Sequence, residues 1–308
     1  MSKIIPNNVA SEINGSSSLI GCEVCGYSGF VSVSKDGYNF VEPCSCYKNY
    51  RLNMLKEKSN IPEIYTNASF NLDESVSCVR FLPLGYKEST EYVNGVKVNK
   101  RLLTFKNKTI SVDINGFGEQ YVNVSTRYLK ESPRIKSIGL LLSGEVGSGK
   151  TMFACAIANS FIEKGFNVCY LKTKQYIDNV IIDSFSKDEE KSRKLKNKRD
   201  YLNGFNKNFK DNCHLLILDE LGYEYQKSDS GYALAQIKDL LRSRAEKSLP
   251  TIITTNFMFD ELTKVYEEEL ISMFAESYMF FYVVCSDDYR IRKSAELDKD
   301  FDFDSIKA

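Results

Sequence analysis

The chain has 308 residues, 43% of them hydrophobic and 12% aromatic, and its 41 basic and 41 acidic residues leave a formal net charge of zero. That length supports a sizeable core without disulfides, in one large or two modest domains, and the charge balance gives no global attraction to nucleic acid, so any such binding falls to local basic surface. No run approaches the roughly 20 apolar residues of a membrane span, and residues 1–19 lack the apolar core of a signal peptide, which reads as a cytoplasmic protein with no membrane partner.

Residues 1–18 are polar, carry the Ser16-Ser17-Ser18 run and read as a flexible tail. Residues 19–50 form a compact module in which Cys22 and Cys25 are spaced C-x2-C and Cys44 and Cys46 C-x-C. In a reducing compartment such ordered spacing points to metal rather than to disulfides. Four thiolates are soft ligands that close a tetrahedral Zn²⁺ shell and leave no position for a reacting water, so the zinc would be structural, in a segment too small to fold on its own core. Iron–sulfur ligation and unligated thiols are the alternatives. The remaining cysteines, Cys78, Cys155, Cys169, Cys213 and Cys285, lie mostly in apolar runs and read as core fillers.

Residues 51–134 read as a linker or adaptor region that opens with a short helix. From Val96 to Val124 apolar and polar residues roughly alternate, predicting strand, with a turn at Gly116 and Gly118.

From residue 135 to 295 short apolar runs alternate with longer helical periods, the pattern of an α/β domain in which helices flank a parallel sheet. The runs are Ile138–Leu142, Val168–Leu171, Leu215–Leu218, Thr251–Thr254 and Phe280–Val284. Phe153, Ile157 and Phe161 recur at helical spacing between the first two runs, and Gly165 is placed to end that helix.

Gly144-Glu145-Val146-Gly147-Ser148-Gly149-Lys150-Thr151 fits the P-loop (Walker A) pattern and lies between an apolar strand and an amphipathic helix. Glycines let successive backbone N–H groups cradle phosphate oxygens, and the helix turns its positive dipole end to the same anion. Lys150 should reach the β- and γ-phosphates of ATP and the Thr151 hydroxyl should ligate Mg²⁺. The run Leu215–Leu218 then delivers Asp219, to hold the Mg²⁺ shell, and Glu220, to orient and polarise the attacking water. Asn256, at the end of the Thr251–Thr255 run, is the candidate sensor of the γ-phosphate; the alternative is an asparagine at a strand-to-loop turn.

Lys187, Lys191, Arg193, Lys194, Lys196, Lys198 and Arg199 crowd one helical stretch, with Tyr201 and Phe205 close behind. Such a helix could follow the backbone of single-stranded DNA while a ring stacks on a base; a solvated helix with Asp188, Glu189 and Glu190 as counter-charges is the bland alternative. His214, the single histidine, precedes a buried run and reads as structural. Residues 296–308 form an acidic tail.

In these elements the chain resembles the DnaC/DnaI-type helicase loaders and the IstB-type transposition helper ATPases, a branch of the AAA+ proteins. The resemblance is carried by Ile61-Pro62-Glu63-Ile64-Tyr65, Asn67-Ala68-Ser69-Phe70, Leu218-Asp219-Glu220-Leu221-Gly222, Arg244, Pro250 to Asn256, Phe259-Asp260-Glu261-Leu262 and Asp288-Tyr289-Arg290. It implies a RecA-like AAA+ ATPase that self-associates, binds a hexameric replicative helicase through its cysteine module and places it on single-stranded DNA. A transposition helper and a nucleotide-stabilised adaptor with little hydrolysis are the alternatives. It also implies that Arg290 acts as a sensor on the nucleotide of its own subunit. One departure concerns mechanism: where the family has an arginine that reaches a neighbouring subunit's γ-phosphate, this chain reads Ile271-Ser272-Met273-Phe274. Arg242, Arg244 or Arg290 would have to substitute, or hydrolysis is slow.

Overall fold

The computed structural model describes residues 22–26, 28–70, 78–81, 84–93, 96–105, 110–131, 139–184, 189–204, 212–222, 230–266 and 268–284. The tails at 1–18 and 296–308, Lys187, Asp188, Phe205, Cys285 and Arg290 lie outside them. The chain divides into two compact units, Met1–Lys58 and Ser59–Ala308.

In the first unit, β1 (Phe30–Lys35) and β2 (Tyr38–Pro43) form an antiparallel hairpin, followed by α1 (Ser45–Ser59). The two-residue turn falls on Asp36 and Gly37, with φ of 51° and 77°, the left-handed pair that matches the twist of a tight hairpin. Val24, Tyr38, Phe40 and Val41 are exposed on this unit.

The second unit is built on a seven-stranded sheet. Its parallel part comprises β7 (Gly139–Ser143), β8 (Val168–Lys172), β9 (Leu215–Leu221), β10 (Thr251–Thr255) and β11 (Tyr278–Val284), in the order β11-β7-β10-β9-β8. All five apolar runs become strands, and β7 and β10 are buried along their whole length, as strands covered on both faces require. Two short strands, β3 (Cys78–Phe81) and β6 (Ile110–Val112), extend the β11 edge in antiparallel fashion. Between them, β4 (Leu84–Val93) and β5 (Val96–Phe105) pair with each other in a long hairpin.

The strand expected to reach Val124 ends at Val112, and α2 (Ile114–Glu131) takes over. Gly118, Tyr121, Val122, Ser125 and Thr126 are its buried positions, a helical period that the apolar–polar alternation concealed. Gly118 marks no turn; a Cβ there would stand 2.4 Å from the Phe70 ring, so this glycine lets the 61–70 segment pack against the helix.

Helix α3 (Lys150–Glu163) follows β7. It closes as expected at Gly165 (φ 83°), where the Gly165 N–H donates to Ile162 O and the Phe166 N–H to Phe161 O, the paired bonds of a left-handed helix end. On α3, Asn159 Nδ2 donates to the carbonyls of Tyr65 and Ala68 at 3.0 and 2.8 Å, pinning the lead-in segment to the helix. Helices α4 (Thr173–Ser184), α5 (Glu189–Asn203), α6 (Ser230–Glu246), α7 (Phe259–Val265) and α8 (Glu268–Ser277) complete the unit.

Candidate nucleotide site and cysteine centre

Parallel pairing brings the C-terminal parts of five strands level. Ser143 is in register with Thr255 and with Tyr282, and Lys172 with Asp219. The loop Gly144–Gly149 leaves β7 at this level and turns into α3. Gly144, Gly147 and Gly149 have φ of 148°, 81° and 89°, values that only glycine adopts without strain. At Gly144 a Cβ would also meet the Val283 carbonyl at 2.3 Å. Lys150 Nζ donates to the carbonyls of Gly144 (2.9 Å) and Glu145 (2.7 Å) and to Ser148 Oγ (3.3 Å), and the residue is 7% exposed. Loop, lysine and helix N-terminus thus form one cationic unit suited to a phosphate chain.

Asp219 is 2% exposed. Its Oδ1 accepts from Thr151 Oγ1 at 2.9 Å and Thr254 Oγ1 at 2.6 Å, and its Oδ2 from the Tyr170 hydroxyl at 2.5 Å. Thr173 Oγ1 donates to its backbone carbonyl at 2.9 Å. Burial and the Asp219 carboxylate push the Tyr170 pKa upward, so the phenol remains a neutral donor.

Between β9 and β10 the register slips: Ile253 faces Leu218, but Thr255 faces Leu221. Asp219 and Glu220 therefore share one partner, Thr254, whose Oγ1 also accepts from the Glu220 N–H at 3.0 Å. Glu220 takes a left-handed backbone, φ 60°. Such a bulge re-aims side chains at a strand end: Asp219 stays in the sheet, while Glu220 is half-exposed and pairs with Lys172 Nζ at 3.1 Å. A hydroxyl and a carboxylate 2.9 Å apart are the hard oxygen donors that Mg²⁺ takes alongside nucleotide phosphates, so the residues fit ATP and Mg²⁺.

The predicted loop, Thr151, Asp219 and Glu220 thus meet at one edge of the sheet. Asn256 follows β10, half-buried, one residue beyond the register of Ser143 with Thr255. Sequence reasoning missed Tyr170, Lys172 and Thr254. Tyr170 and Lys172 belong to a strand whose place beside β9 no local pattern reveals, and Thr254 reaches Asp219 only because of the bulge.

Of the arginines considered as substitutes at the phosphate, Arg244 is wholly buried and donates to Thr251 Oγ1 and to the carbonyls of Leu202, Cys213, His214 and Pro250. Leu202 lies at the end of α5 and the other groups at the N-terminal ends of β9 and β10, the opposite end of these strands from Asp219, so Arg244 is not the substitute at the phosphate. Arg242 pairs with Glu269 at 2.7 Å, and Met273 packs against the core. On α5, Leu195 and Leu202 are buried while Lys191, Arg193, Lys194, Lys196 and Lys198 are exposed. Lys194 pairs with Glu190 at 2.7 Å, and Arg199 donates to Gln236. Tyr201 packs on the core cluster, which argues against its stacking on a base. His214 is buried, its Nδ1 accepting from the Asn167 N–H at 2.9 Å.

In the first unit the sulfurs of Cys22, Cys25, Cys44 and Cys46 lie within 4.8 Å of one another, with Cys22–Cys44 at 3.8 Å and Cys25–Cys46 at 3.5 Å. A disulfide requires about 2.05 Å. Four sulfurs at about 2.3 Å from one metal stand about 3.8 Å apart, so the group fits a tetrahedral ion. The Gly29 N–H donates to Cys25 Sγ at 3.3 Å, supporting negative charge on that sulfur.

Residues 135–274 match the model of the IstB-like ATP binding protein family. Over 152 residues the chain is 26% identical to the replicative helicase loader DnaC of Escherichia coli, covering 49% of this chain and 56% of DnaC. Over 175 residues it is 26% identical to an uncharacterized killer plasmid pGKL-2 helicase of Kluyveromyces lactis, 54% of this chain and 29% of that protein. The chain thus spans about half or less of the length of these curated relatives. Among solved structures, that of DnaI aligns with 76% of this chain and 98% of its own at 17% identity and a TM-score of 0.46. With a P-loop, a paired acidic strand end and this match together, residues 135–274 are similar to the IstB-like ATP binding proteins and to the DnaC-type helicase loaders.

Proposed function

We propose that this chain is an ATP-dependent replication protein that binds a hexameric replicative helicase and places it on single-stranded DNA, hydrolysing ATP as it does so. The observation that carries the enzymatic part is the bulged end of β9, which leaves Asp219 within 2.9 Å of Thr151 and turns Glu220 outward beside it. In this reading Gly144 to Thr151 cradle the phosphates, Lys150 neutralises their charge, and Thr151 and Asp219 hold Mg²⁺. The metal would supply charge stabilisation at the transferring phosphoryl group. Glu220 positions the attacking water and accepts its proton, and Asn256 and Arg290 sense the γ-phosphate. Glu220 must first leave Lys172; a half-exposed ion pair is worth about 1 kcal/mol or less, so this exchange is easy.

The four cysteines would bind Zn²⁺ as a structural ion, and the exposed Val24, Tyr38, Phe40 and Val41 give that unit an apolar surface suited to a protein partner. The exposed lysines of α5 are the surface assigned to DNA, through phosphate contacts. Self-association through the ATPase domain and a cytoplasmic location belong to the same proposal. Among the described residues no helix is long and apolar enough to cross a membrane.

A nucleotide-stabilised adaptor is the second reading, favoured by Met273, half-buried against the core where the resemblance implies an arginine. Hydrolysis by the zinc-loaded protein, alone and then with single-stranded DNA and a replicative helicase, separates the two. Stimulated turnover that Glu220→Gln abolishes while ATP binding persists supports the loader. Tight ATP binding without turnover under every condition supports the adaptor, and capture of a transposase in place of the helicase would overturn the choice of partner.

A further inference from the structure

We propose that Tyr170 is a positioning residue for the metal side of this site, holding Asp219 Oδ2 through its phenol so that Oδ1 stays turned to Thr151 and Mg²⁺. The inference rests on the reading of the site as one for Mg²⁺ and ATP. Tyr170 lies on β8, the strand paired with β9, and is 5% exposed; its hydroxyl is 2.5 Å from Oδ2. The carboxylate's division of labour is unequal. Oδ1 takes the two threonine hydroxyls at 2.9 and 2.6 Å, one of them the Thr151 group that also ligates the metal in this reading. A carboxylate offers roughly four lone-pair sites, and rotation about its own bond exchanges its two oxygens. The phenol opposes that rotation. A hydrogen bond to an ionised, buried acceptor is among the stronger ones, and a partner outside the metal's own ligands fixes how a ligand presents itself. Phenylalanine would keep the buried ring and remove only this donor.

The test is a Mg²⁺ titration of the full-length, zinc-loaded protein, reading binding of a fluorescent ribose-labelled ATP analogue. For Tyr170→Phe the Mg²⁺ concentration at half-saturation should rise about tenfold, the lower end of what losing such a partner costs in metal affinity, and saturating Mg²⁺ should restore the plateau. An unchanged half-saturation overturns the proposal. So does a binding loss equal at all Mg²⁺ concentrations and accompanied by a lower unfolding temperature, because that is the signature of a packing role. The cycle with Asp219→Asn adds a second check: in that background Tyr170→Phe should shift the half-saturation by less than about twofold, and a full shift there would mean that the phenol does not act through Asp219. A wild-type protein that binds the analogue without any dependence on Mg²⁺ overturns the reading of the site, and this proposal with it. Mg²⁺-dependent wild-type binding with an unshifted Tyr170→Phe curve overturns this proposal alone.

Discussion

Replacing Arg244 by methionine tests whether α6 offers this arginine to a nucleotide or spends it on the core. Its Nε donates to Thr251 Oγ1 at 2.8 Å, Nη1 to the carbonyls of Leu202 and Cys213 at 2.5 and 3.1 Å, and Nη2 to those of His214 and Pro250 at 3.2 and 2.8 Å. One guanidinium thereby joins the end of α5 to the starts of β9 and β10. Methionine keeps the apolar stem and donates nothing; the Pro250 carbonyl keeps the Leu216 N–H at 3.3 Å, and the other four acceptors lose the guanidinium. At about 1 kcal/mol for each of the four, the low end of the cost of an unsatisfied buried group, the loss is about 4 kcal/mol. That approaches the whole stability of a marginal domain of about 5–15 kcal/mol, and for a unit of this size corresponds to a fall of about 8–16 °C in Tm. Because the chain has no tryptophan, thermal unfolding is best followed by far-UV circular dichroism, with nucleotide binding measured on the same samples. The expected result is a large loss of stability, with binding lost only in proportion to unfolding. A variant within about 1 kcal/mol of wild type that had lost hydrolysis selectively would refute the reasoning and return Arg244 to the phosphate.

Gly144→Ala should abolish ATP binding and cost about 2–3 kcal/mol, as seen by isothermal titration and thermal unfolding, since the new methyl group meets the Val283 carbonyl at 2.3 Å on a left-handed backbone. Gly118→Ala, whose methyl group would meet the Phe70 ring at 2.4 Å, should cost about 1–3 kcal/mol through overpacking and loosen the 61–70 segment, as read by hydrogen exchange. Lys172→Met should leave stability within about 1 kcal/mol, and by freeing Glu220 should raise basal hydrolysis severalfold; a fall would place the lysine on the phosphate instead. Chelation of zinc should unfold residues 22–58 and release protons on rebinding, measured with a zinc indicator across pH. The backbone N–H of Cys46 draws the Cys44 thiol down to about 7, whereas burial pushes Cys46 up to about 12. At neutral pH the metal must therefore displace protons, and its affinity should fall with decreasing pH, more steeply below about 7.

How legible each part was in the sequence follows from how local its cause is. The five parallel strands are aliphatic runs buried on both faces, and the phosphate loop owes its shape to its own glycines, so both could be read from neighbouring residues. The order of those strands could not, and with it went Tyr170 and Lys172, which meet the acidic pair only because β8 lies beside β9. Thr254 was passed over for Asn256 because a register slip cannot be seen in a run of threonines. Helix α2 was read as strand because two glycines and an apolar–polar alternation masked a buried period set by Phe70 and α3. Arg244 stood among the possible substitutes at the phosphate because a charged residue is seldom wholly buried; nothing near it in sequence announces the carbonyls it serves.

The fate of the cations considered for the phosphate bears on how hydrolysis is controlled. Lys150 is committed to the phosphate loop, Lys172 to Glu220, Arg242 to Glu269 and Arg244 to the core, while Met273 fills a position that the resemblance assigns to an arginine. A cation at the transferring phosphoryl group is worth roughly 10³–10⁵ in rate. Among the described residues considered for that role, Lys172 can supply the cation by changing partner; a further molecule is the other source. Each of these two is conditional on a movement or an assembly. The isolated chain should accordingly turn over slowly, and the stimulation by helicase or DNA should measure the arrival of that charge. Rapid hydrolysis by the monomer at high dilution would show that the cation is already in place.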